Sequence, residues 1–165
     1  MTRAIGFLVY PGFQLLDATG PIAAFEIAGR LAPGAYSLHF LSLEGGLTAS
    51  SSGAALHTTP LAEAPRLDTL IVSGGDGVKV PATCPATLAF VRRAGREARR
   101  VASVCSGTYV LAEAGLLDGR RATTHWSRTK DFQRRYPNIR LEPDRIWIQD
   151  GHVWSSAGIT AGIDL

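Results

Sequence analysis

The segment Val101-Ala102-Ser103-Val104-Cys105-Ser106-Gly107-Thr108 constrains the fold of this chain more than any other. Its first four residues read as a short buried strand, and a helix is expected directly after it, over Ser106–Leu117, stopped by Asp118-Gly119. Cys105 then stands at the tip of a sharp strand-to-helix turn, a nucleophile elbow that lifts its side chain clear of a sheet. Small neighbours let the backbone approach, and the helix N-terminus is expected to lower the thiol pKa and favour the thiolate. Most free cysteines are buried and inert, and position is what sets this one apart. Cys84, between Thr83 and Pro85, has no such setting and reads as structural.

An elbow of this kind needs a sheet behind it, and the rest of the chain supplies one. Ile5–Tyr10, closed by Pro11-Gly12, is a continuous apolar run of the type that forms a strand buried on both faces. Gly20-Pro21 is placed to open a helix running to about Ala28, because proline suits a first helical position. Tyr36–Leu43 and Asp68–Val72 are further strands, with a loop or short hairpin over Glu44–Gly53. Helices are expected over Pro85–Arg100 and Ser127–Tyr136, a strand over Ala122–Thr124, and a hairpin across Asp150-Gly151 with strands at Arg145–Ile148 and His152–Trp154. Strands alternating with helices imply an α/β fold, a mainly parallel sheet covered on both faces.

Composition narrows the function classes. The 165 residues are 45% hydrophobic and 19% charged, ordinary for one globular domain. A net charge of +3 is too small to argue for nucleic-acid binding, and the arginines of 92–100 read as a solvated helix face. Two cysteines make no disulfide framework, and no Cys/His spacing suggests zinc or implies another cofactor. No apolar run approaches the ~20 residues of a membrane span and no leader is evident, so a cytoplasmic setting is expected. Thr160–Leu165 reads as the first turns of a helix cut short, as in a truncated domain.

The candidate site gathers around Cys105. Gly74-Gly75 follows a strand and can present backbone N–H groups for an oxyanion, with the Ser106 N–H completing the set. His125, after a short strand and twenty residues beyond Cys105, can return to the same sheet edge as a base or acid, although lone histidines are more often structural. Asp17 lies in the loop after the first strand, where ligands gather in such sheets. It is either a carboxyl group that bonds the Cys105 sulfur, with a pKa raised by burial, or a helix N-terminal carboxylate.

These residues resemble the ThiJ/PfpI superfamily, which has the class I glutamine amidotransferase-like, flavodoxin-like three-layer fold. The likeness is carried over nearly the whole chain by Tyr10-Pro11-Gly12-Phe13 with Asp17 and Gly20-Pro21, Ser73-Gly74-Gly75, the Cys105 elbow, Arg121–Trp126, Ser156-Ala157-Gly158 and Ala161–Asp164. Two branches share this set. In isonitrile hydratases the resemblance implies Cys105 as nucleophile, Asp17 as acid/base and Ser106 as a neighbouring hydroxyl. In AraC-type transcriptional regulators the same fold forms an amino-terminal domain that senses a small molecule and precedes a helix-turn-helix pair.

Arg134–Pro137, Pro143–Arg145 and Asp150–Gly158 are similar to the regulator pattern. The resemblance therefore implies a sensing domain for an unidentified small molecule, a homodimer, and DNA contact only through a carboxy-terminal domain absent from this chain. A cysteine-dependent hydratase or hydrolase is the alternative, and an oxidant sensor built on a low-pKa thiolate a third reading.

Overall fold

A computed structural model describes residues 1–165. In chain order the elements are β1 (Arg3–Leu8), α1 (Leu15–Leu31), β2 (Tyr36–Ser42), β3 (Gly46–Ala49), β4 (Ala55–Pro60), β5 (Thr69–Val72), α2 (Lys79–Thr83), α3 (Pro85–Glu97), β6 (Arg100–Val104), α4 (Thr108–Glu113), β7 (Arg121–Ala122), α5 (Thr129–Arg135), β8 (Arg140–Leu141), β9 (Trp147–Asp150) and β10 (Val153–Ser156). Short 3₁₀ turns join several of them, among them Cys105–Gly107, Trp126–Arg128 and Ile159–Gly162.

Eight strands form one sheet in the order β3-β4-β2-β1-β5-β6-β10-β9, and β7 pairs with β8 in a small second sheet. From β4 to β10 every neighbouring pair is parallel, while β3 and β9 add antiparallel edges. Alternation along the strands splits the core in two. Ile5, Phe7, Ile71, Ala102 and Val104 form one cluster, against which Phe25 of α1 packs. Leu8, Leu70, Val72 and Val101 join a larger cluster with Phe90 and Val91 of α3 and Val110 and Leu111 of α4. This is the expected flavodoxin-like sandwich of helices on both faces of a mainly parallel sheet. The chain leaves β1 for β2 on one side, and β5 lies on the other, so a crevice opens at the carboxyl ends of β1, β5 and β6.

Several boundaries differ from expectation for identifiable reasons. Helix α1 begins at Leu15 rather than at Gly20-Pro21, and Pro21 lies inside it. Leu15 and Ile22 both pack on the core, so burial overrides the missing proline N–H. Helix α4 closes by Gly115, in the left-handed conformation at φ 75°, before the expected stop at Asp118-Gly119. Strand β7 is shorter than Ala122–Thr124 because the next two residues bond elsewhere. The Thr123 N–H donates to Ser155 Oγ, and Thr124 Oγ1 to the Cys105 carbonyl. Glu44–Gly53 lies across a hairpin of β3 with β4, a strand not anticipated from the sequence.

The elbow presses directly on the end of β5. A Cβ placed on Gly107 would lie 2.4 Å from the Val72 carbonyl oxygen and 2.8 Å from that of Ser73. Gly29, in α1, has open space at the same position. Gly107→Ala is therefore expected to destabilise the fold by about 1–3 kcal/mol through overpacking against backbone. Gly29→Ala is expected to stabilise it by about 0.5–1 kcal/mol. Thermal melts followed by circular dichroism should move in opposite directions for the two variants, and a shared direction would contradict the close approach at Gly107.

Candidate functional site

Cys105 and Ile159 are the two non-glycine residues with positive φ, at 58° and 61°. Left-handed backbone is costly for a residue with a Cβ, on the order of 1–3 kcal/mol, and persists where the surroundings over-determine it. At Cys105 those surroundings are explicit. Its N–H donates to the Ala157 carbonyl at 3.2 Å, and its own carbonyl accepts from Thr124 Oγ1 at 2.9 Å and Thr108 Oγ1 at 3.0 Å. The elbow expected from the sequence is thus built, with the sulfur-bearing residue 7% exposed.

Asp17 lies in the first turn of α1 and is fully buried. Its Oδ1 accepts from the Ile159 N–H at 3.0 Å, while Oδ2 has no conventional partner. Gly74 separates Asp17 from Cys105. A Cβ on Gly74 would meet Asp17 Oδ2 at 2.6 Å, Cys105 Cβ at 2.7 Å and Ser106 N at 2.7 Å. Only a residue without a side chain lets the carboxyl group and the thiol face one another. The two readings of Asp17 are therefore compatible, since it is both a first-turn carboxylate and a neighbour of the sulfur.

The electrostatics reverse one expectation. Burial pushes the Asp17 carboxyl up to about 6, opposed by its contacts with Cys105, Ile159 and Gly74. Burial, reinforced by the charge on Asp17, pushes the Cys105 thiol up to about 12. The expected low-pKa thiolate is absent, because desolvation and a neighbouring carboxylate outweigh the short 3₁₀ turn and six-residue α4 that follow the elbow.

The expected donors are also differently engaged. The Gly75 N–H donates to Ser106 Oγ at 2.9 Å, and Ser106 Oγ lies 3.1 Å from the Gly75 carbonyl, a reciprocal link that ties the loop after β5 to the elbow. Gly75 itself, at φ 138°, packs against the backbone of Gly12, Phe13 and Gln14. The Gly74 N–H faces Asp17 and the Ser106 N–H faces the Cys105 sulfur.

His125 shares a cavity of about 140 Å³ with Cys105, Ser106 and Gly75. The Ser127 N–H donates to its Nδ1, which puts the ring proton on Nε2, and burial with the nearby Arg128 charge lowers its pKa. The imidazole edge packs on Gly158. Gln14, Ser51, Asp76, Ser127, Arg128 and Ile159 complete the cavity wall, none of them marked by the sequence reading. No group of three His, Cys, Asp or Glu side chains converges to hold a metal ion.

Residues 3–165 match the profile of the DJ-1/PfpI family. The chain belongs to that family. Isonitrile hydratase from Pseudomonas putida is 39% identical over 99% of this chain and 69% of its own length. The HTH-type transcriptional regulator CdhR from Pseudomonas aeruginosa is 34% identical over 100% of this chain, which spans 49% of that protein. Among solved structures, a ThiJ/PfpI family protein from Pseudomonas syringae superimposes with a TM-score of 0.87 at 32% identity, covering 99% of this chain and 66% of that one. No helix of this DJ-1/PfpI chain is long and apolar enough to cross a membrane.

Two predictions follow from the Asp17–Cys105 pair. Because the folded carboxyl pKa of about 6 exceeds the ordinary aspartate value of 3.8, the native state holds the extra proton between these values. Stability is then greatest below the lower value and falls as pH rises through the upper, by about 3 kcal/mol at 1.36 kcal/mol per unit. Asp17→Asn keeps an oxygen for the Ile159 N–H and should flatten that slope in urea titrations between pH 4 and pH 7, and an unchanged slope would contradict the assignment. Thiol labelling gives a second check. Cys84 is partly exposed, and Thr87 hydrogen bonding holds its pKa below the usual thiol range. Iodoacetamide should therefore modify Cys84 before Cys105, and Asp17→Asn should accelerate labelling of Cys105, as read by peptide mass spectrometry.

Proposed function

We propose that this chain is the small-molecule-sensing amino-terminal domain of an AraC-type transcriptional regulator, with a ligand pocket over Cys105. The observation that carries the reading is the state of the elbow. Its thiol is buried beside the Asp17 carboxyl, which raises its pKa, and the Gly75 N–H and Ser106 hydroxyl bond each other instead of opening toward the cavity. A nucleophile requires the thiolate, and an oxyanion requires free donors, so this geometry favours occupancy over turnover. CdhR, named as an HTH-type regulator, matches the whole of this chain over about half of its own length. DNA contact then falls to a separate carboxy-terminal segment, and the domain acts as a homodimer in the cytoplasm. Cys105 and His125 shape the pocket with Gly75 and Ser106, while Asp17 and Gly74 support the elbow from behind.

A hydratase is the second reading, favoured by the Asp17–Cys105 juxtaposition and by the 39% identity to isonitrile hydratase. In that chemistry the Cys105 sulfur bonds the isonitrile carbon while Asp17 passes the thiol proton to the same carbon, water adds to the resulting thioimidate, and cleavage of the C–S bond returns the thiol and releases an N-substituted formamide.

The readings separate in one pair of measurements. A sensor should show a ligand from a library of small polar compounds that raises the melting temperature by about 5–10 °C at a hundredfold excess over Kd. Cys105→Ser should keep that shift, and the compound should be recovered unchanged. Conversion of an alkyl isonitrile to its formamide, lost in Cys105→Ala, would overturn the sensor reading in favour of the enzyme.

A further inference from the structure

The cavity over Cys105 carries two charged side chains in its wall, Asp76 and Arg128. Asp76 belongs to the turn after Gly75, and Arg128 ends the 3₁₀ turn that follows His125. They come from parts of the chain 52 residues apart and meet at 2.9 Å between Arg128 Nη2 and Asp76 Oδ1. The base of Arg128 is anchored, since its N–H donates to the His125 carbonyl at 2.9 Å and its carbonyl lies 3.4 Å from the Tyr109 hydroxyl.

We infer that Arg128 is the recognition residue of the pocket and that the ligand is a small monocarboxylate, which takes the place of the Asp76 carboxylate on the guanidinium. The inference rests on the pocket reading above and names the ligand class for it. The present pair is a single contact, and the other guanidinium N–H groups have no protein partner. A carboxylate can satisfy two of them side by side, which makes such pairs both directional and strong.

Exchange is cheap because the Asp76 side chain is 88% exposed and the Arg128 side chain 43% exposed. Exposed ion pairs contribute about 0–1 kcal/mol, and a released Asp76 is solvated at once. One guanidinium with a carboxylate beside it suits a monoanion, whereas a phosphate dianion would require further cations that the cavity lacks. Asp17 does not line the cavity, so its charge lies behind the elbow and away from the entering group. Neutral polar groups on Gln14 and Ser51 remain for the rest of the ligand.

The test uses sodium butyrate, butyramide and n-butylammonium chloride as probes, titrated at constant ionic strength into ¹⁵N-labelled protein. Butyrate is expected to shift the amides of Gly75, Ser106 and Arg128 with an affinity at least tenfold above that of butyramide, its neutral analogue. Arg128→Gln should lower butyrate affinity at least tenfold, as loss of a charge-assisted hydrogen bond does. Arg128→Lys should restore part of it.

Asp76→Asn separates recognition from a structural role, because removing the competing carboxylate should tighten butyrate binding while a merely structural ion pair would not. Equal binding of butyrate and butyramide, preference for n-butylammonium, absence of shifts with any probe, or indifference to Arg128→Gln overturns the inference. The two readings fail in different ways. A neutral sensor ligand insensitive to Arg128→Gln leaves sensing intact and removes the carboxylate. Isonitrile turnover accompanied by Arg128-dependent butyrate binding removes sensing and keeps the carboxylate site.

Discussion

The structure turns on one strained residue. Cys105 adopts a left-handed backbone at the carboxyl end of β6, and it stays there because three segments distant in sequence hold it. Thr124, two residues beyond β7, binds its carbonyl, Ala157 beyond β10 accepts its N–H, and Gly107 presses its turn onto the end of β5. The Ala157 and Gly107 contacts tie the elbow to the strands on either side of β6 in the parallel order β5-β6-β10. The elbow is therefore a consequence of the completed sheet rather than of local propensity, and the cost of its φ is met by contacts that exist only in the folded state.

That constraint also determines the chemistry of the sulfur. Bringing the elbow down on the switch point buries the thiol and sets the Asp17 carboxyl across Gly74 from it. Burial raises both pKa values. Ile159 belongs to the same site. Its own left-handed backbone delivers an N–H to Asp17, which keeps the carboxyl group in place without competing for its second oxygen.

How far the site could be read in advance follows from the range of each signal. Cys105, Gly74 and Ser106 sit in local patterns of strand, glycine and helix start, so their positions were visible. Asp17 was visible as a carboxylate after the first strand, but its helix was not, because Pro21 suggested a start six residues late while core packing of Leu15 and Ile22 overrode it. Gly75 was read as a donor and proved to be engaged with Ser106, a pairing across 31 residues that no local pattern carries. Arg128, Asp76 and Ile159 were missed for the same reason. Arginine and aspartate in polar turns, and isoleucine after Gly158, look like ordinary surface and core choices until the turns are brought together.

The sequence by itself determined the α/β class, the alternation that builds a parallel sheet, and the placing of a cysteine at an elbow. These are encoded in runs of a few residues, where hydrophobic period and turn chemistry act locally. The tertiary structure alone decided that burial raises the thiol pKa, that Asp17 is fully buried beside the thiol and in the first turn of a helix at once, and that Arg128 and Asp76 meet in the cavity wall. Those outcomes depend on desolvation and on charges brought within a few ångströms from distant segments, and neither quantity exists until the sheet has closed the distances between them.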